Sequence, residues 1–135
     1  DTCCDIRQLQ QKIAFTKDTP LKIFNANSAT LLESLKLGAA GFCGVMLNFH
    51  PELYGWLCRN WRKNMQKAQK LQDFATVASL IELQNYPTNA KYHMSLSGVP
   101  IGLVTRSKDY AGFQELQKSE VQALYQCWQN YSAIL

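Results

Sequence analysis

Hydrophobic positions near the start of the chain change their spacing in a way that predicts two strand–helix units. Residues 21–25 form a short apolar run, and residues 28–37 carry apolar positions at helical spacing that stops at Gly38. Residues 41–45 form a second apolar run, and Pro51 stands where a long helix begins. Because a helix separates the two apolar runs, the two strands are expected to pair in parallel.

The remainder of the chain has helical spacing. Asp5 is placed to cap a helix that ends near residues 15–16, and this helix leads directly into the first strand. The strand of that first unit is therefore expected to lie ahead of the chain. Further helices are predicted from Pro51 to about Gln66, over residues 73–84, from Thr88 or Asn89 to Leu96, and from Ser119 to Tyr131, with a loop over residues 101–112.

Parallel α/β folds bind their ligands at the carboxyl ends of the strands. In this chain those ends are residues 25–28 and 43–48. We therefore expect the chemistry of the protein at these two segments.

Composition and charge narrow the class of protein. The chain has 135 residues, of which 47% are hydrophobic and 18% are charged, as is typical of one globular domain. It has no apolar run of the roughly 18 residues that span a bilayer, so no membrane association is expected. The net charge of +4 is concentrated over residues 59–70, which we interpret as the solvated face of a helix. Since no groove-reading motif accompanies these residues, no nucleic-acid partner is expected.

The cysteines and histidines give no sign of a metal site. The five cysteines show no C-x-x-C spacing, and we interpret all of them as small buried hydrophobic residues in a reducing compartment, which predicts a cytoplasmic protein. They are Cys3, Cys4, Cys43, Cys58 and Cys127. His50 is predicted to be a turn residue, and His93 has no second metal ligand beside it in its short helix. No metal and no cofactor are expected.

Four segments carry a resemblance to a known family. They are DTCCDI at residues 1–6, FNANS at 24–28, LGAAGFCGVMLN at 37–48 and PEL at 51–53. In these segments the chain resembles the dihydrodipicolinate synthase / N-acetylneuraminate lyase family, and the resemblance fades beyond about Arg106.

The resemblance implies a fold. Members of this family are class I aldolase-type lyases on a (β/α)8 TIM barrel with a C-terminal helical extension, and such a barrel needs about 250 residues. The chain is therefore expected to be the C-terminal part of a barrel. Residues 1–67 would hold the last two strands with their helices, and residues 68–135 would form the helical extension.

The resemblance also implies where the catalytic lysine lies. In this family the Schiff-base lysine ends the sixth strand, and the residues that follow it match Asp1, Thr2 and Asp5. The lysine is expected just before Asp1, so this chain holds no catalytic residue and is expected to be inactive alone. Lys17 is a poor substitute, because a helix before it and a strand after it leave no room for a crossover.

Seven residues are the substrate-binding candidates that the resemblance implies. They are Thr2 beside the imine, Ala26, Asn27 and Ser28 in the next loop, and Cys43, Gly44 and Val45 after the second strand. Three of the positions discussed here also fit structural roles. Ser28 fits a helix N-cap, Cys43 fits strand packing, and Asn48 is expected to cap the helix at Pro51 or to tie the strand end to it. Residues 26–28 lack the acidic groups typical of sialic-acid lyases, so the sequence does not identify the substrate beyond pyruvate.

The predicted function is that of an intact parent protein. It would be a carbon–carbon or carbon–oxygen lyase or aldolase that forms a Schiff base with a 2-oxo acid, pyruvate above all, and assembles as a homo-oligomer. The alternative is a non-catalytic interaction module derived from an aldolase half barrel. A phosphate-binding half barrel is disfavoured, since residues 38–44 lack the Gly-Lys-Ser/Thr of a P-loop.

Overall fold

Strands and helices alternate in the first part of the molecule, and helices alone make up the second part. The structure is a computed structural model that describes residues 2–106 and 110–133. Its regular elements are α1 (Ile6–Thr16), β1 (Phe24–Asn25), α2 (Leu31–Leu37), β2 (Gly41–Phe42), α3 (Pro51–Asn60), α4 (Met65–Ala78), α5 (Thr88–Leu96) and α6 (Glu115–Ser132). Short 3-10 segments are formed by Ser28–Thr30, Val45–Asn48, Ser79–Leu83 and Tyr110–Gly112.

The two strands pair in parallel, which confirms the expected arrangement. Phe24 lies opposite Gly41, and Asn25 lies opposite Phe42. Thr2 extends the sheet on the other side of β1 through a parallel bridge to Asn25. Its N–H donates to the Phe24 carbonyl at 3.0 Å, and its carbonyl accepts from the Ala26 N–H at 2.7 Å. Three chain segments thus run side by side in one direction.

Both strands are shorter than the apolar runs that predicted them. The first prediction covers residues 21–25, but only Phe24–Asn25 is a strand, and Leu21 is 65% exposed. The second covers residues 41–45, but Val45 begins a 3-10 segment after Gly41–Phe42. Single backbone hydrogen bonds continue just beyond the strands, because the Ala40 N–H donates to the Ile23 carbonyl and the Cys43 N–H to the Asn25 carbonyl, both at 2.8 Å.

The first two helices follow the local signals in the sequence. The Asp5 carboxylate accepts hydrogen bonds from the N–H groups of Arg7 and Gln8, both at 2.9 Å, and so caps α1. Leu9 is the buried residue of that helix. Gly38 ends α2 with a φ of 106°, in the left-handed region that glycine adopts without strain.

The third and fourth helices differ from the prediction. The helix that starts at Pro51 ends at Asn60 and not near Gln66, because Asn64 caps a new helix there. Its side-chain oxygen accepts from the Lys67 N–H at 3.0 Å. The basic residues between 59 and 70 therefore do not form one helical face: Arg59 lies in α3, Lys67 and Lys70 lie in α4, and Arg62 and Lys63 lie in the turn between them.

The later helix bounds also need correction. The helix predicted over 73–84 begins at Met65 and changes to a 3-10 segment at Ser79. α5 begins at Thr88, but Asn89 does not cap it, since its amide donates to the Ile81 carbonyl at 2.6 Å. The last helix begins at Glu115 and not Ser119, because Gln114 and Gln117 form a capping box. The predicted loop over 101–112 includes residues 107–109, which lie outside the described residues.

One hydrophobic core joins the strand–helix part to the helical part. It is formed by side chains from α2, α3, α4 and α6, and it includes Leu31, Leu35, Leu53, Leu57, Leu71, Val121 and Trp128. Gln72 of α4 reinforces this junction: its side-chain oxygen accepts from the Leu32 N–H, and its amide donates to the Ser28 carbonyl, both at 2.8 Å. The helical part therefore packs directly behind the loops that follow the strands.

Candidate functional site

A pocket of about 460 Å³ lies at the carboxyl ends of the strands. All three segments of the parallel sheet contribute the residues that follow them, and the region before α5 closes the opposite side. Its lining residues are Cys3, Ala26, Cys43, Gly44, Val45, Leu47, Asn48, Glu82 and Tyr86. We call it the strand-end pocket. Four of the seven predicted site residues line it, namely Ala26, Cys43, Gly44 and Val45.

Gly44 allows the backbone and the Phe42 ring to approach closely at the wall of the strand-end pocket. A Cβ at this position would lie 2.5 Å from the Phe42 ring and 2.6 Å from the Ala26 carbonyl oxygen, so a larger residue does not fit. The sequence predicts a close approach at Gly44 to the imine of a bound substrate. The approach that the structure shows is to Phe42 and Ala26, and contact with a substrate stays a prediction.

Thr2 lies one residue before the pocket and is tied to α1. Its hydroxyl donates to the Cys4 sulfur at 3.1 Å and accepts from the Lys12 ammonium at 2.6 Å. The parallel bridge to Asn25 fixes its backbone at the carboxyl end of the sheet. Asp1, which the sequence places at the same strand end, lies outside the described residues.

Asn27 and Ser28 make structural contacts. The Asn27 side-chain oxygen accepts from the Ala29 N–H at 3.0 Å, so Asn27 and not Ser28 caps the 3-10 segment that leads into α2. Ser28 is buried, and its hydroxyl accepts from the Tyr54 hydroxyl at 3.1 Å. Burial raises the pKa of Tyr54, although the Ser28 hydrogen bond acts in the opposite direction. Both residues therefore secure the loop, and a role in substrate binding stays a prediction for each.

Two residues of the helical part complete the pocket, and the sequence did not indicate either of them. Tyr86 precedes Pro87, and its hydroxyl accepts from the Asn48 amide at 3.3 Å. Glu82 is half-buried, and burial raises the pKa of its carboxyl. Asn48 also donates to the Val45 carbonyl at 3.0 Å and does not cap α3, because His50 occupies the N-cap position. Only the packing of the chain brings these distant residues together.

The cysteines are more exposed than the sequence predicts. Cys3, Cys43 and Cys127 are exposed, whereas Cys4 and Cys58 are intermediate. The side chains of successive residues in extended chain alternate between the two faces of a sheet. Phe42 faces α3 and stacks on Tyr54 with ring centroids 4.4 Å apart. The next residue, Cys43, therefore turns to the open face.

Both histidines are buried together, which the sequence did not indicate: His50 lies at the N-cap position of α3, and His93 lies within α5. His50 and His93 are 0% and 1% exposed, and their ring centroids are 5.1 Å apart. They form what we call the histidine cluster with Phe49, Phe74 and Trp128. Burial and then the neighbouring His93 lower the pKa of His50 to about 3, and burial lowers that of His93 to about 4.

The histidine cluster is not a metal centre of the usual kind. Within residues 2–106 and 110–133, no three His, Cys, Asp or Glu side chains lie close enough together to hold a metal ion.

None of the helices in the described part of the chain combines the length and the apolar character that a membrane span requires.

Comparison with known proteins finds a matching family model and solved structures of similar fold. The model of the dihydrodipicolinate synthetase family matches residues 1–127. A candidate dihydrodipicolinate synthetase from Pseudomonas aeruginosa has 24% sequence identity and a TM-score of 0.69 over 90% of this chain and 42% of its own. N-acetylneuraminate lyase from Fusobacterium nucleatum, solved with pyruvate, has 21% identity and a TM-score of 0.74 over 90% of this chain and 41% of its own. No curated protein sequence matches.

These comparisons identify the family of the chain and show how its length compares with that of two solved structures. The two solved structures share its fold, and the chain spans about two fifths of the length of each. The family model covers nearly all of the chain, from the parallel bridge at Thr2 into the last helix. The protein therefore belongs to the dihydrodipicolinate synthetase family.

Proposed function

We propose that this chain is the C-terminal part of a class I aldolase-type lyase whose intact form makes a Schiff base with a 2-oxo acid, pyruvate above all. Residues 1–67 would be the rear of a (β/α)8 barrel, and residues 68–135 its helical extension. The nucleophilic lysine would stand just before Asp1, so this chain alone would not catalyse. The intact protein would be a homo-oligomer.

One observation carries the proposal. Thr2 bridges Asn25 in parallel, so the chain at Thr2 runs in the same direction as β1 and β2. A lysine just before Asp1 would then belong to a third parallel strand, level with Ile23 and three residues ahead of Cys3 in the strand-end pocket. Active sites of (β/α)8 barrels form at the carboxyl ends of the strands. The Fusobacterium neighbour, solved with pyruvate, is consistent with a 2-oxo acid as substrate.

The chemistry requires a lysine at a sheltered strand end. A free lysine amine has a pKa of about 10.4 and is protonated at neutral pH, so its surroundings must lower that pKa before it can attack a ketone. The iminium that forms withdraws electrons from the adjacent carbon, and a bond to that carbon can then break or form. We assign the wall around this position to Ala26, Cys43, Gly44 and Val45, and the contact beside the imine to Thr2.

Reductive trapping tests the proposal. The full-length protein is incubated with pyruvate and borohydride, and the product is analysed by intact mass and peptide mapping. We expect one covalent pyruvyl group on the lysine immediately before Asp1. Arginine in place of that lysine should abolish the adduct. The exposed Lys17 offers a matched control, and Lys17→Arg should leave the adduct unchanged. If no adduct forms, or if it forms on Lys17, the assignment is wrong.

A further inference from the structure

Two cysteines from separate loops meet at the strand-end pocket. Cys3 follows the residue that bridges to β1, and Cys43 follows β2. Both are exposed, and both line the pocket. No other cysteine among the residues that the structure describes lines it: Cys127, which is equally exposed, lines a groove between α4 and α6. The two thiols are therefore accessible to a small molecule that enters the pocket.

The sheet register keeps these two thiols from bonding each other. Thr2 pairs with Asn25, and Asn25 pairs with Phe42, so Cys3 and Cys43 flank Ala26 from opposite sides. Two strand spacings separate their backbones by about 10 Å. A disulfide requires Cα atoms within about 7 Å. Each thiol is therefore left to react with a molecule from solution.

The charge of the pocket restricts which molecules can enter. Glu82 is the charged residue among those that line the pocket in the described part of the chain. Its carboxylate repels anionic reagents and attracts cationic ones, and the effect is strengthened where water is partly excluded. Small uncharged or cationic disulfides are therefore better reagents for this pocket than anionic disulfides of the same size.

We propose that Cys3 and Cys43 form a thiol modification site that closes the proposed active site. The site takes small uncharged or cationic disulfides. The cysteine thiol loses its proton to solvent, and the thiolate attacks one sulfur of the reagent. The S–S bond of the reagent breaks, a new S–S bond forms to the cysteine, and the other half leaves as a thiolate. The attached group then occupies the pocket and excludes the 2-oxo acid. This inference rests on the proposed function.

The test combines thiol modification with reductive trapping. The full-length protein is treated with bis(2-hydroxyethyl) disulfide and then trapped with pyruvate and cyanoborohydride, which reduces an iminium but not a disulfide. The trapping rate is divided by the rate of the same protein left untreated. Peptide mapping reports which cysteines carry the mixed disulfide. We expect the ratio to fall at least tenfold for the natural protein and to recover after dithiothreitol. A Cys3→Ser, Cys43→Ser double variant should keep a ratio near one.

Cys127→Ser is the matched control, because it removes an exposed thiol outside the pocket, and its ratio should fall as in the natural protein. Anionic glutathione disulfide should modify Cys43 more slowly than the uncharged reagent, and Glu82→Gln should narrow that difference. An unchanged ratio despite mapped modification at both cysteines overturns the inference and leaves the proposed function intact. An equal fall in the double variant also overturns it. An untreated protein that forms no pyruvyl adduct overturns the proposed function and this inference with it.

Discussion

The strand-end pocket and the histidine cluster are neighbours in the chain but opposite in character. Asn48 lines the pocket, and His50, two residues later, is completely buried in the cluster. The pocket is lined largely by small and apolar residues, whereas the cluster consists of aromatic rings and contains both histidines of the chain, each of them buried. Both histidines are thus in the core, and the candidate site is formed by residues that follow the strands together with Glu82 and Tyr86.

The difference shows that the position of a residue in the fold, more than its type, decides whether it belongs to the candidate site. The imidazole rings pack as flat aromatic groups against Phe49, Phe74 and Trp128, and burial keeps them neutral. Neither His50 nitrogen has a hydrogen-bond partner, which is an unfavourable arrangement for a buried polar group. The pocket lies where the parallel strands end, and Gly44 permits the close packing of its wall.

Acidification should break the histidine cluster and gives the largest expected effect. Unfolded histidine binds a proton with a pKa of about 6.5, whereas folded His50 and His93 bind one only at about 3 and about 4. The unfolded state therefore takes up more protons below pH 6.5, and stability falls with pH. Between pH 7 and pH 5 the free energy of unfolding in urea should fall by roughly 4 kcal/mol, about 2 from each ring.

His50→Phe supplies the control for this pH dependence, because phenylalanine keeps a ring in the cluster and does not titrate. The variant should lose about half of the pH dependence. Equal stability of the natural protein at pH 7 and pH 5 would contradict the neutral, buried state of the two rings.

Gly44→Ala should damage the wall of the strand-end pocket. The added Cβ would meet the Phe42 ring and the Ala26 carbonyl at 2.5 and 2.6 Å, so the backbone has to shift. We expect a loss of about 3 kcal/mol in the free energy of unfolding. Gly102→Ala is the matched control, because no atom lies within 4 Å of its added Cβ, and it should change stability by less than about 0.5 kcal/mol. Equal effects of the two substitutions would exclude the close approach at Gly44.

Gln72→Leu should weaken the junction behind the pocket. It leaves the buried Leu32 N–H and Ser28 carbonyl without their side-chain partner, which should lower the free energy of unfolding by about 2 kcal/mol. Gln69→Leu removes an exposed amide that donates to Asp73 at 2.8 Å, and its effect should stay within about 0.5 kcal/mol. Urea denaturation of both variants makes the comparison. A similar result for both would mean that the Gln72 contacts do not hold the two parts together.

Tyr54→Phe should produce the smallest effect and sharpen the role of Ser28. It removes the hydroxyl that donates to Ser28 at 3.1 Å but keeps the ring stacked on Phe42. The expected loss is about 1 kcal/mol by thermal or urea unfolding. Tyr131→Phe removes an exposed hydroxyl that donates to the Lys70 carbonyl, and should cost less. If Tyr54→Phe has no effect, Ser28 is not held by this bond and is free for another role.

Local signals in the sequence were sufficient for the first elements. The Asp5 cap, the left-handed Gly38 and the helix between two apolar runs correctly predict α1, the end of α2 and the parallel pairing. Capping signals of the same kind stand at Asn64 and Gln114 and set the starts of α4 and α6, whereas the apolar spacing alone predicts later starts. Four of the seven predicted site residues line the pocket, because their position after the strands follows from the order of elements.

The sequence by itself determined the order of strand and helix, the parallel direction of the sheet and the family, since these depend on local periodicity and on motifs that are continuous in the chain. Only the tertiary structure decided that Glu82 and Tyr86 line the pocket, that Cys3 and Cys43 are open to solvent, and that His50 meets His93. Each of these facts depends on contacts between segments distant in sequence, and burial is a property of such contacts and not of the residue.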